Sequence, residues 1–288
     1  MFSGSLVALI TPFRNGKVDF EKLEELVDWH IEAGTNGLVP CGTTGESATL
    51  SYEEHEQVVT AVVNRADGRI PVIAGTGSNS TQEAVRFTRY AHDVGADGAL
   101  LITPYYNKPT QKGLVAHFEV VAKETDIPLI LYNVPSRTGV NMLPATVIEC
   151  AKFPNIVEIK EASGNLEQSV EILRGSNLTV LSGDDSLTFP LMAVGAKGVV
   201  SVAANVVPKM MVDLVDLSAA QDFPAARELH FRLYPLFKAL FLETNPIPVK
   251  AAMALLGRIG PELRLPLIPL SEENQRVLRS VLSDLGVL

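Results

Sequence analysis

Cysteine is scarce in this chain of 288 residues: Cys41 and Cys150 stand alone and far apart, which excludes a disulfide framework. The histidines, His30, His55, His92, His117 and His230, include no close pair, so no zinc-type metal site is expected. Positive charge is in deficit, with 24 Lys+Arg against 33 Asp+Glu and a net charge of −9. Without clustered cations, neither nucleic acid nor an anionic membrane is an expected partner. Long apolar runs are missing as well. The run Leu6–Ile10 is too short for a membrane span, and Met1-Phe2-Ser3-Gly4-Ser5 lacks a basic leader, so a cytoplasmic location is expected.

What remains is 47% hydrophobic and 20% charged, the composition of an ordinary globular protein. An α/β barrel commonly uses about 250 residues, so one large domain with an appendage fits the length better than two equal domains. Short β-branched runs recur at Leu6–Ile10, Gly37–Pro40, Pro71–Ala74, Ala99–Ile102, Pro128–Leu131, Ile156–Ile159, Leu178–Leu181 and Val199–Val202. They read as strands buried on both faces, and amphipathic stretches separate them, which implies parallel βαβ units. Asp19 is a helix cap by pattern, and Ser51…Glu54 and Ser80…Glu83 match the capping box. The predicted fold is a (β/α)8 TIM barrel over residues 1–223, with a doubly wound open sheet as the alternative. A C-terminal helical subdomain is predicted over 224–288, because Pro224–Leu242 and Pro248–Leu255 keep helical apolar spacing beyond the last strand.

Barrel chemistry sits where strands end. Lys160 closes the run Ile156-Val-Glu-Ile-Lys160, where an ammonium must be paired or neutral. A lysine of ordinary pKa near 10.4 is almost wholly charged at neutral pH; if burial lowers it, the amine becomes a nucleophile able to form a Schiff base with a carbonyl. Pairing with Glu158 or Glu161 is the structural alternative. Tyr132 closes the preceding strand run and should project into the same cavity, where a phenol could exchange protons. Gly42-Thr43-Thr44-Gly45 offers backbone donors and hydroxyls for a small carboxylate, or is a plain helix-entry turn. Arg137 suits bidentate carboxylate binding, or a surface ion pair. Asp184 and Asp185 disfavour a phosphorylated substrate in the following loop. Gly75-Thr-Gly-Ser-Asn-Ser80 lacks the third glycine of a dinucleotide fingerprint. Cys41 reads as a small buried thiol rather than a nucleophile.

At Gly42-Thr-Thr-Gly-Glu46, Tyr132-Asn-Val-Pro-Ser-Arg-Thr-Gly139 and Ile159-Lys-Glu-Ala-Ser-Gly-Asn165 the chain closely resembles the dihydrodipicolinate synthase family of class I aldolases, over essentially its whole length. The resemblance implies condensation of pyruvate with aspartate semialdehyde, at the head of diaminopimelate and lysine biosynthesis, with no metal and no organic cofactor. It implies Lys160 as the Schiff-base lysine, Tyr132 as proton donor and acceptor, and Thr43 and Tyr106 as a relay, Tyr106 reaching a neighbouring subunit of a homotetramer. Thr44 would hold the pyruvate carboxylate, Arg137 that of the aldehyde, and Gly183 and Val202 would lend backbone around Lys160. Ser47, Ala48, His55, Asn79, Glu83 and Tyr105 match the family's site for lysine as feedback inhibitor, while Tyr52 departs from the frequent histidine. Taken without the resemblance, Glu83 serves as a cap, Asn79 as a turn residue and His55 as a solvated helix position. Two rivals stay open: a lyase of the N-acetylneuraminate type acting on a keto-sugar acid, and a non-catalytic barrel that senses metabolites.

Overall fold

The computed structural model describes residues 1–288. Eight parallel strands form the sheet: β1 (Gly4–Ala8), β2 (Gly37–Val39), β3 (Ile73–Gly75), β4 (Gly98–Ile102), β5 (Leu129–Asn133), β6 (Ile156–Glu161), β7 (Thr179–Ser182) and β8 (Gly198–Ser201). The last strand pairs with the first, Gly4 opposite Gly198, and a parallel bridge between Leu38 and Val72 links β2 to β3. The sheet therefore curls into a near-closed TIM barrel. Helices α1 (Phe20–Glu32), α2 (Tyr52–Ala66), α3 (Thr81–Asp93), α4 (Gln111–Lys123), α5 (Pro144–Cys150), α6 (Leu166–Gly175), α7 (Thr188–Ala193) and α8 (Pro208–Ala219) each follow a strand. Then come α9 (Phe223–Ala239), α10 (Ile247–Leu255) and α11 (Glu272–Asp284).

Alternation along each strand separates two cores. Inward residues such as Leu6, Ala8, Val39, Leu100, Ile130 and Leu181 fill the barrel, whereas Val7, Leu38, Leu101, Leu131 and Ile159 pack outward beneath the helices. Near-continuous apolar runs are what a strand covered on both sides requires. The register sets Tyr132 of β5 opposite Lys160 of β6, and Lys160 opposite Leu181 of β7. At the other end of the barrel the Phe2 amide donates to the Glu158 carboxylate at 2.5 Å, and the Phe2 ring packs on the interior core. Burial pushes the Glu158 carboxyl up to about 7. The base of the barrel is thus plugged and only the Lys160 end is open to chemistry.

Several local expectations need correction. The first strand begins and ends two residues before the apolar run does, because the Ile10 amide leaves the ladder to meet Asn205 Oδ1 at 3.2 Å. Asp19 and Ser51 cap as expected, the latter with a complete capping box to Glu54. Ser80 does not: its side chain makes no cap bond, and Glu83 turns instead to the hydroxyls of Ser78 and Tyr52. A small hairpin, Phe13–Arg14 with Lys17–Val18, was not anticipated, although its Asn15-Gly16 turn, with both residues at positive φ, carries the usual signal. Helix α11 falls within the predicted helical subdomain, in a stretch that the apolar spacing did not single out. Ser271 caps it, and its buried contacts are Leu278 and Leu282.

Candidate active site

Lys160 is 6% exposed, and its Nζ lies 4.1 Å from the centre of the Tyr132 ring. Neither carboxylate considered as its partner is near enough to pair. Glu158 is tied to Phe2, and Glu161 points outward, accepting from Ser163 N at 2.7 Å, Asn133 Nδ2 at 3.2 Å and Gln168 Nε2 at 3.3 Å. Removal from water lowers the Lys160 pKa to about 8; Asp184 and Asp185 oppose the shift and Arg137 adds to it. At neutral pH about one molecule in ten then carries the free amine. Burial also raises the Tyr132 phenol to about 12, while Arg137 and the hydroxyl of Thr43 favour its ionised form.

The loops after β6, β7 and β8 shape the wall beside the amine. A side chain at Gly183 would place its first carbon 2.5 Å from Ala162 Cβ and 3.2 Å from Lys160 Cε, so only glycine lets the chain pass so close. Asp185 is buried and accepts from Ser201 Oγ at 2.5 Å, Val202 N at 3.1 Å and Ala203 N at 2.9 Å. Desolvation raises it to about 6 against those bonds. It thereby holds the backbone of Val202.

After β2 the chain folds into a tight loop, Gly45 N to Gly42 O at 3.1 Å and Glu46 N to Thr43 O at 3.1 Å. The amides of Thr43 and Thr44 donate to nothing within the chain, and two such adjacent N–H groups form a nest for an anion. Cys41 and Glu46 flank the loop at positive φ. Cys41 is buried, its thiol pushed up by desolvation, and nothing activates it as a nucleophile. Glu46 forms a buried ion pair with Lys250 at 2.5 Å and accepts from Arg264 N at 3.1 Å; Lys250 also donates to Thr11 O at 3.0 Å. Neither Lys250 nor Asn245 figured in the reading of the sequence. Asn245 binds the Thr44 hydroxyl through Nδ2 at 2.9 Å and Arg137 through its main-chain carbonyl at 3.2 Å. The Pro246-Ile-Pro248 punctuation marked the start of α10 and gave no hint that the residue before it reaches the site.

A cavity of about 460 Å³ opens over this region, lined by Gly42, Thr43, Tyr132, Arg137 and Asn245; Lys160, against the Tyr132 ring, and Thr44 do not themselves line it. Ser47, Ala48, His55, Glu83 and Tyr105 line the same cavity. Asn79 does not; its carbonyl accepts from Asn107. His55 is not solvated. It is buried, bonded through Nε2 to Gly75 O at 2.8 Å and stacked on Phe87, and burial lowers its pKa. Tyr106 does not line the cavity: it is 88% exposed, at a φ of 72°, a conformation that a bulky residue adopts only under constraint.

A TIM barrel with a desolvated lysine against a buried tyrosine, and an anion nest beside them, has the site of a lyase working through carbonyl chemistry. The match to known proteins agrees. The chain belongs to the dihydrodipicolinate synthetase family, whose model matches residues 1–285. It is 56% identical to the 4-hydroxy-tetrahydrodipicolinate synthase of Nitratidesulfovibrio vulgaris, covering 100% of this chain and 99% of that one. A crystal structure of the dihydrodipicolinate synthase of Acinetobacter baumannii in complex with pyruvate superposes with a TM-score of 0.98 at 47% identity, covering 100% of both chains. The enzyme of Cyanidioschyzon merolae with lysine bound gives 0.97 at 41% identity, covering 100% of this chain and 99% of that one.

The pH behaviour of Lys160 follows from its surroundings. Competitive acylation at graded pH should find an amine whose reactivity climbs with pH and levels above about 8. Because the Asp184 charge raises that pKa, Asp184→Asn should move the limb to lower pH. A Lys160 that titrates near 10.5 would remove the physical basis of the site.

Proposed function

We propose that this chain condenses pyruvate with aspartate semialdehyde to 4-hydroxy-tetrahydrodipicolinate, the first committed step of diaminopimelate and lysine biosynthesis in the cytoplasm. The observation that carries the reading is a lysine with no carboxylate partner, buried against Tyr132. Its neutral amine attacks the keto carbon of pyruvate; the carbinolamine loses water to give the imine, and loss of a methyl proton gives the enamine. The enamine carbon then attacks the aldehyde of the second substrate, whose oxygen takes up a proton. The amino group of the bound adduct displaces Lys160 from the imine carbon, closing the ring and freeing the amine. In this reading Tyr132 gives and takes these protons, which its hydrogen bond to Thr43 supports. The free amides of Thr43 and Thr44 suit the pyruvate carboxylate, Gly183 and Val202 frame the amine, and Arg137 at the cavity suits the carboxylate of the aldehyde.

Borohydride added with pyruvate should leave one reduced three-carbon adduct on the Lys160 peptide, and Lys160→Ala should lose both adduct and turnover. Labelling at another lysine would defeat the assignment. Aspartate semialdehyde should outpace sugar aldehydes as acceptor; the reverse order would favour a keto-sugar acid lyase.

We further propose a homotetramer built from two tight dimers, in which Tyr106 of one protomer completes the relay of its neighbour. Its exposure on a constrained loop beside the cavity-lining Tyr105 supports a role outside its own chain. Tyr106→Phe should slow turnover by about 10²-fold or more, the usual worth of a proton-transfer group. Mixing Tyr106→Phe with Lys160→Ala subunits should restore activity; mixtures as inactive as their parents would refute action in trans. Residues 224–288 we treat as a helical subdomain packed on this barrel.

Lysine we propose as the feedback inhibitor, bound among Ser47, Ala48, His55, Asn79, Glu83 and Tyr105. Support comes from the lysine-bound relative and from the unpaired negative charge of Glu83, whose partners Ser78 and Tyr52 are both neutral hydroxyls. An ammonium must displace the Tyr52 phenol. Lysine should therefore inhibit wild type, inhibit Tyr52→Phe at lower concentration, and lose its effect on Glu83→Gln. Equal sensitivity of all three proteins would place the effector elsewhere.

A further inference from the structure

The structure assigns Asn245 a part in substrate binding: we propose that it is a positioning residue, whose side-chain amide turns the Thr44 hydroxyl so that its hydrogen faces the keto-acid carboxylate. The inference rests on the pyruvate reading above. A threonine hydroxyl has one hydrogen to donate and lone pairs to accept with. Here Asn245 Nδ2 donates to Thr44 Oγ1 at 2.9 Å, and no acceptor within the chain takes the hydrogen of that hydroxyl. One lone pair is thus occupied and the hydrogen is left for another acceptor, as are the unpaired amides of Thr43 and Thr44. Three donors from adjacent residues, two N–H and one O–H, are then available to one anion.

Asn245 belongs to the segment between α9 and α10, outside the barrel strands, yet it is 4% exposed and lines the cavity. Its Oδ1 is buried with no donor. A buried polar atom left unsatisfied calls for a partner from outside the chain, and this one belongs to a residue on the cavity wall. Nothing else in the chain engages the amide, so its one bond is the bond to Thr44. Arg137 is held separately, by the main-chain carbonyl of Asn245, which any residue at 245 retains. Substitution of the side chain therefore isolates the Thr44 arm.

The test uses the full chain with pyruvate as the probe, reading the concentration that half-saturates the borohydride-trapped adduct together with KM and kcat. Loss of one hydrogen bond to a charged group should raise half-saturation about tenfold or more in Asn245→Ala, with a much smaller change in kcat. Asn245→Asp should be worse still, because a carboxylate takes the Thr44 hydrogen for itself and repels the keto acid. In a Thr44→Val background, Asn245→Ala should add less than about twofold, since coupled residues are not additive. An Asn245→Asp protein that binds pyruvate as wild type does would show that the amide accepts from Thr44, and would overturn the proposal. So would full additivity with Thr44→Val, or an unchanged KM in Asn245→Ala. The near-isosteric Asn245→Asp keeps the test intact if the alanine variant melts early. Failure of wild type itself to form an adduct would strike the pyruvate reading, and is distinguishable because it appears before any substitution is made.

Discussion

Everything at this site depends on one desolvated amine that no anion is close enough to neutralise. The chain holds two buried lysines, and burial lowers the pKa of both; they differ in what stands beside the amine. Lys250 meets Glu46 at 2.5 Å, and that carboxylate opposes the lowering that burial imposes; removing one partner of such a pair typically costs about 3–5 kcal/mol. Lys160 forms no ion pair and faces an aromatic ring. The shift from 10.5 to about 8 corresponds to about 3 kcal/mol by which the fold disfavours the charged form. Asp184 and Asp185 act on it without touching it. They keep the amine from losing its proton altogether, so that it remains able to exchange one near neutral pH.

That balance follows from strand geometry. Side chains alternate across a strand, so Glu158 and Lys160 both face the interior, but two residues apart they occupy different layers. The carboxyl sits on the plugged floor under Phe2, out of reach of the amine above it. Glu161, between strand end and helix layer, is turned away by the same alternation and absorbed by Asn133, Gln168 and Ser163. Parallel register then brings Tyr132 directly opposite Lys160. Gly183 allows the next strand to leave without a side chain striking the amine's carbon.

What the sequence made legible was whatever depends on local order. Strand runs, the Asp19 and Ser51 caps, and the placing of Lys160 and Tyr132 at the ends of neighbouring strands all follow from periodicity within a few residues. The Gly42–Gly45 loop was legible as a tight turn with free backbone donors for the same reason. Illegible were contacts between residues far apart in the chain. Ser80…Glu83 has the letters of a capping box, yet Ser78 and Tyr52 compete for that carboxylate and win it. His55 falls in a helix pattern of polar neighbours, and only the packing of α2 against α3 shows its ring lying on Phe87. Lys250 sits among alanines and a valine, where no local signal announces a partner some two hundred residues earlier.

The Lys250 contact is one of a set that runs from the C-terminal segment to the loop after β2 and to the helix α2 that follows it. Lys250 and the Arg264 amide grip the Glu46 carboxylate, the Arg264 side chain grips Glu54, and Asn245 grips Thr44. Glu46 itself is held at a φ of 53°, a backbone state that persists only where its surroundings over-determine it. The barrel alone supplies the amine and the phenol, but a loop ending in a left-handed glutamate has no local reason to keep its free amides in one position. The appended helices provide that reason, through a buried ion pair whose geometry is lost if either end moves. Chain length beyond the eighth strand is therefore part of the site, since it converts a flexible glycine-rich turn into a fixed set of donors.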